Sequence, residues 1–171
     1  NPVNPWSHTP FGKQMAAACE VFERTTRRYG KPAFDLPTAL VGGERVPVTE
    51  KVVWSRPFCN LIHFQRAIPR NHRPDPKVLI VAPMSGHYAT LLRGTVERML
   101  PVADVYITDW RDAKLVPLSE GKFDLDDYVD YLIEFLETIG SNEGQGGTHM
   151  LAVCQPSVPC YAAACVMSAD N

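Results

Sequence analysis

From Lys77 to Val166 the chain alternates short apolar runs with stretches of helical spacing, three times over, and this alternation restricts the fold more than any other feature. Lys77-Val78-Leu79-Ile80-Val81-Ala82 suits a short strand buried on both faces. After it, Tyr88, Leu91, Leu92, Val96, Met99 and Leu100 recur at helical spacing; Gly94 weakens that helix slightly and Pro101 ends it. Val102 and the alternation in Asp104-Val105-Tyr106-Ile107-Thr108-Asp109-Trp110 predict a second strand, followed by the polar loop Arg111-Asp112-Ala113-Lys114. The strongest predicted helix runs from Leu125 to Ile139, with Tyr128, Val129, Leu132, Ile133, Leu136 and Ile139 on one face. Asp124 can cap its start and Gly140 its end, while Asp126 and Asp127 in the first turn suit the helix dipole. Ser141 to Gly147 then reads as a loop into a third strand, Thr148 to Val153, and the small residues from Val158 to Val166 as a third helix.

Such an order implies a parallel sheet with right-handed crossovers and a ligand site at the carboxyl ends of its strands. Upstream, Val46 to Trp54 and Cys59 to Arg66 alternate as early strands around Ser55-Arg56-Pro57, and fit as antiparallel lead-in strands. The first residues are Pro-rich up to Pro10, and an amphipathic helix follows around Phe11 to Tyr29. The expected organisation is a helical and Pro-rich extension over residues 1–45 and an α/β domain over residues 46–171.

Two stretches carry chemistry. Val153-Cys154-Gln155-Pro156 places a thiol between the third strand and the third helix, the position of a nucleophile on a sharp strand-to-helix turn, with the next N–H free to hold an oxyanion. Ala152 and Pro156 stand where such a turn usually has glycines; Ala152 is small enough for close strand–helix approach, and the fixed φ of Pro156 suits a first helical turn. A buried cysteine at a strand end is the plainer alternative. Pro83-Met84-Ser85-Gly86-His87 follows the first strand, where the second oxyanion N–H would come from Met84 or Ser85, and where Gly86 permits close backbone approach. An ordinary strand-to-helix turn remains open for it.

The other polar residues read more plainly. Asp109 and Arg111 suit a solvated or ion-paired loop, and Trp110 packing or part of a substrate wall. His87 belongs by context to the loop or helix start rather than to a base, His149 lies too far along its strand to face Cys154, His63 reads as a strand residue, and His8 and His72 as loop residues. With neither C-x-x-C nor H-E-x-x-H, no metal or cofactor is expected. A net charge of −2 over 171 residues gives no electrostatic case for nucleic acid. No apolar run approaches the roughly 20 residues of a membrane span, and no secretory h-region opens the chain. Five cysteines without a framework pattern suggest reduced thiols in a cytoplasmic setting.

Lys31-Pro32-Ala33-Phe34-Asp35, Arg56-Pro57-Phe58-Cys59, Ala82 to Arg93, Tyr106-Ile107-Thr108-Asp109-Trp110 and Val153-Cys154-Gln155-Pro156, taken together and in this order, resemble the intracellular polyhydroxyalkanoate (polyhydroxybutyrate) depolymerase family. The resemblance covers nearly the whole chain as the amino-terminal portion of such a protein. It implies an α/β-hydrolase with a mostly parallel sheet and flanking helices, incomplete at its carboxyl terminus. It also implies hydrolysis of esters in a stored polyester through a cysteine acyl-enzyme, with Cys154 as nucleophile, Gln155 and Met84 or Ser85 around the oxyanion, and Gly86, His87 and Trp110 as candidate substrate-lining residues.

In the α/β-hydrolase order the acid and the histidine follow the nucleophile, and after Cys154 the only acidic residue is Asp170, with no histidine. The expectation is that the catalytic His and Asp lie beyond Asn171 and that residues 1–171 alone are inactive. The implied partners are a cytoplasmic storage granule as substrate and the carboxyl-terminal half of the same protein, with homo-oligomerisation left open. Two other roles stay open: a synthase-like acyltransferase that passes the acyl-enzyme to a hydroxyacyl thioester, and a noncatalytic granule-binding fragment.

Overall fold

The computed structural model describes residues 9–27, 30–69, 72–84, 88–140 and 147–169. The chain divides into two compact units, residues 1–31 and 32–171. The first unit holds helix α1, Pro10–Thr26, which Thr9 caps by accepting from the Gly12 N–H at 3.0 Å. None of its residues is buried.

The second unit is mixed α/β. In chain order it comprises strands β1 (Thr38–Val41), β2 (Glu44–Ser55), β3 (Cys59–Arg66) and β4 (Lys77–Val81), helix α2 (Arg93–Met99), strand β5 (Asp104–Trp110), helix α3 (Leu125–Gly140), strand β6 (His149–Ala152) and helix α4 (Ser157–Ala169). Among the described residues the strands form one six-stranded sheet in the order β1-β2-β3-β5-β4-β6. Only β5-β4-β6 is parallel; β1–β2, β2–β3 and β3–β5 are antiparallel. The sheet as a whole is therefore mixed, not mostly parallel. The reason is local: two- and three-residue connections such as Gly42-Gly43 and Arg56-Pro57-Phe58 can only reverse the chain. Gly42 (φ 58°) and Gly43 (φ 89°) both take the positive φ that a two-residue hairpin turn demands, and they bring in β1, a strand absent from the expected set.

Both faces of the parallel part are covered, which explains the unbroken apolar run of β4. Val78 and Ile80 join one core with Ile62, Phe64, Val105 and Ile107 of the sheet and Val96 of α2. Leu79 and Val81 face the other, with Leu61, Tyr106, Leu132, Phe135 and Ile139, and with Cys160 and Ala163 of α4. Phe135, missing from the expected apolar face of α3, is fully buried and packs edge-on against Trp54 at 4.7 Å. The α3 start is doubly closed: Asp124 Oδ1 accepts from Asp126 and Asp127 N–H, and Asp127 Oδ2 accepts from Asp124 N–H at 2.8 Å. The predicted helix after β4 begins instead as a 3₁₀ turn, Ala89–Leu92, and leaves Leu91 exposed.

At the carboxyl end of β4, side chains of β5 take over from the backbone ladder. The ladder ends at Ile80 opposite Ile107; beyond it Thr108 Oγ1 accepts from the Ala82 N–H at 2.9 Å, and Trp110 Nε1 donates to the Ala82 carbonyl at 3.0 Å, both buried. Thr108→Val should lose about 1 to 3 kcal/mol of unfolding free energy in denaturant titration, because a buried N–H is left without an acceptor. By contrast, the buried Tyr128 hydroxyl has no well-formed hydrogen bond among the described residues. Tyr128→Phe should be neutral or stabilising by up to about 1 kcal/mol; a loss similar to that of Thr108→Val would show that the hydroxyl is held after all.

Candidate functional site

Cys154 stands two residues past β6 and three before α4, in the left-handed region at φ 69°. Such a φ is uncommon for any residue but glycine and costs on the order of 1 to 3 kcal/mol. The turn is held in that shape from both sides. Ahead of it, the Val153 N–H donates to the Val81 carbonyl at 3.3 Å and so extends the β4–β6 pairing. Behind it, the Cys154 carbonyl accepts from both the Ser157 N–H (3.1 Å) and Ser157 Oγ (2.7 Å), and Pro156 is buried beneath the first turn of α4. The strand end and helix start thus push the thiol outward: Cys154 is exposed, not the buried strand-end cysteine of the plainer reading.

Because β4 and β6 are neighbours, the segment leaving β4 lies beside this turn. Gln155 is exposed, and its Oε1 accepts from the Met84 N–H at 3.5 Å. Among the described residues its own backbone N–H has no acceptor. Two N–H groups named from the sequence as oxyanion donors therefore belong to adjacent segments, one open and one under a long, weak contact to an amide oxygen. Ser85, Gly86 and His87 lie outside the described residues. Trp110 leaves β5 on the far side of β4, only 7% exposed, its ring edge-on to Tyr128 at 4.4 Å. It is a packing residue that also locks Ala82.

Asp109 lies within the expected strand, in β5, but is 7% exposed rather than solvated. Arg111 follows the strand into solvent, its backbone N–H on the Phe58 carbonyl at 2.9 Å.

The described histidines sit toward the opposite edge, where the parallel strands begin. His63 pairs with Asp104 at 2.7 Å and stacks on Tyr106 at 4.3 Å. Burial pushes the Asp104 carboxyl up, but His63 and Arg66 outweigh that and hold it below the usual carboxylate range. His72 pairs with Asp75 at 3.1 Å. His149 opens β6, five residues and about 16 Å of extended strand from Cys154. His8 and His87 lie outside the described residues.

No family model matches the chain. No curated protein matches it either.

The five thiols divide by exposure. Cys59 and Cys160 are buried, and burial pushes the Cys160 thiol up to about 11. Limiting iodoacetamide followed by peptide mapping should label Cys154 ahead of Cys165 and leave Cys160 unmodified in the folded protein. The φ of Cys154 offers a second check: Cys154→Gly removes the thiol and should raise stability by about 1 kcal/mol, since glycine adopts this φ without a steric cost. A loss of stability would mean that the turn is not strained.

Proposed function

We propose that Cys154 is the nucleophile of a carboxylic ester hydrolase of the α/β-hydrolase type, acting on esters of the polyhydroxyalkanoate class in a cytoplasmic storage granule. The observation that carries this reading is the positive φ of an exposed, non-glycine residue at a strand-to-helix turn. Strain of that kind clusters at functional sites, and a strained strand-to-helix turn is where an α/β-hydrolase carries its nucleophile above the carboxyl edge of the sheet. The parallel order β5-β4-β6 supports it, because it sets the segment after β4 beside the turn, where the second oxyanion donor belongs.

In the reaction, the Cys154 sulfur attacks the ester carbonyl, forming the C–S bond and an oxyanion. Gln155 N–H and Met84 N–H are the donors placed to hold that charge. The Gln155 amide oxygen occupies the Met84 N–H before substrate arrives, and the oxyanion replaces it. Collapse breaks the C–O bond, and the alcohol end leaves with a proton. Water then cleaves the thioester, releasing the hydroxyacid and restoring the thiol. Both proton transfers need a base. In the chain order of this family it is a histidine that follows the nucleophile.

Cys154→Ala in the complete protein should reduce hydroxyacid release from a soluble oligomeric hydroxybutyrate ester by about 10³-fold or more. Undiminished release would refute the role of Cys154. Transfer of hydroxyacyl groups from a coenzyme A thioester, with no release to water, would instead make the protein a polymerising acyltransferase.

A further inference from the structure

A cleft of about 320 Å³ opens at the carboxyl edge, between the β2–β3 connection and the segment after β5. Its polar wall is Ser55, Arg56 and Arg111; Leu115 and Pro117 form an apolar wall, and Glu120 also lines it. Register brings these distant residues level. Cys59 pairs with Trp110 and Asn60 with Ser55, so the end of β2, the start of β3 and the end of β5 coincide. Arg111 leaves β5, two strands from the Cys154 strand, and its guanidinium donates to Asn60 of β3 and Ser55 of β2, three and four strand spacings from that strand, or roughly 14 to 19 Å.

The two guanidinium groups differ in what they have left to give. Arg56 pairs with Glu134 at 2.9 Å and lies over the Trp54 and Tyr131 rings, at 5.5 and 5.9 Å. Its charge is matched and its position fixed. Arg111 has neutral partners: Nη2 donates to Asn60 Oδ1 at 3.3 Å and to Ser55 Oγ at 3.4 Å, both long. Among the described residues no carboxylate lies in ion-pair range of Arg111, and its Nε and Nη1 have no acceptor. Glu120 makes no ion pair among the described residues either. The Ser55 hydroxyl is engaged, donating to Asn60 Oδ1 at 2.7 Å, so the cleft offers one guanidinium with only neutral partners, opposite Glu120, and an apolar wall on which a few carbons can lie.

We propose that this cleft binds the free carboxylate end of a short acyl chain, with Arg111 on the carboxylate and Leu115 and Pro117 against the carbons. Arg holds carboxylate through several donors at once, and a monoanion on a short apolar tail fits the charge and the walls better than a bare polyanion facing Glu120. This deepens the ester-hydrolase reading and rests on it for the identity of the chain: a hydroxyacyl oligomer whose ester lies at Cys154 while its carboxyl end reaches Arg111. Chain ends are then preferred over internal esters.

The test is a calorimetric titration of the complete protein with the linear tetramer of 3-hydroxybutyrate, long enough to reach from Cys154 to Arg111, its methyl ester and inorganic phosphate, using Cys154→Ala as background so that nothing is cleaved. The free acid should bind about tenfold or more tightly than the methyl ester, Arg111→Gln should abolish that difference, and Arg111→Lys should keep part of it. Glu120→Gln should tighten the acid by a few fold. Circular dichroism of each variant checks folding, which the exposed position of Arg111 should not disturb. Equal binding of acid and ester, or acid binding insensitive to Arg111→Gln, overturns the proposal. So does phosphate binding as tight as that of the acid, which would mark an inorganic anion site. If Cys154→Ala leaves hydrolysis intact while the acid still binds through Arg111, the hydrolase reading falls and the carboxylate seat stands; the reverse pattern removes the seat alone.

Discussion

Ala82 has both of its backbone groups bonded to side chains of β5, its N–H to Thr108 and its carbonyl to Trp110. The rest of the carboxyl edge depends on that pair of bonds. A strand leaving a sheet loses its ladder and with it any fixed direction, yet β4 is directed for one residue more by groups that cannot follow the chain away. On its other side the Val81 carbonyl takes the Val153 N–H, so the departure of β6 is referred to the same strand. The Cys154 turn and the Met84 segment thus share one reference point, and a small displacement of β4 relative to β5 moves both together.

Strain is placed within this frame where it can be borne. Among the described residues, two non-glycine residues have positive φ: Asp35 at 50° and Cys154 at 69°. Aspartate tolerates that region comparatively well, and the Asp35 carbonyl accepts from Arg93 Nη2 at 3.0 Å. Cysteine has no such tolerance. Its conformation is held by the two Ser157 bonds to the Cys154 carbonyl, by the buried Pro156 and by the Val153 bond to β4. The three hydrogen bonds contribute on the order of 1 kcal/mol each, together comparable to a steric cost of about 1 to 3 kcal/mol.

How much of this was legible in the sequence depends on the range of the interaction that decides each element. β4, β5 and α3 could be read because their apolar patterns reflect burial by everything around them, and the strand-to-helix position of Cys154 follows from its immediate flanks. Strand β1 was missed although Gly42-Gly43 between two runs is a hairpin signal; the short Thr38–Val41 run lacked a clear alternation. The same oversight made the sheet look more parallel than it is. The strand placement of Asp109 was legible in the alternation, whereas its burial was not: charge suggests solvent, and the pairing of Asn60 with it across β3 and β5 sets it inside the sheet. The Arg111 cleft was not legible at all. Ser55 and Arg111 are 56 residues apart, and only the registers of β2, β3 and β5 bring them together.

The two edges of the sheet differ in how they treat polar groups, and this difference bears on where ligands go. At the edge where the parallel strands begin, charges are matched within the protein: His63 with Asp104, Arg66 and His72 with Asp75, and Lys77 Nζ on the Ile139 carbonyl at 2.7 Å near the end of α3. At the other edge the Gln155 N–H and the Arg111 Nε and Nη1 have no acceptor among the described residues, the Met84 N–H has only a 3.5 Å contact, and an exposed thiol sits at a strained φ. The matching is not complete at the first edge, where Arg66 Nε is buried without a partner among the described residues; the difference is that the open groups at the carboxyl edge belong to exposed residues around a strained turn. On the proposed reading, donors left open along this edge take up a substrate that brings acceptors: a carbonyl oxygen becoming an oxyanion at Cys154 and a carboxylate at Arg111.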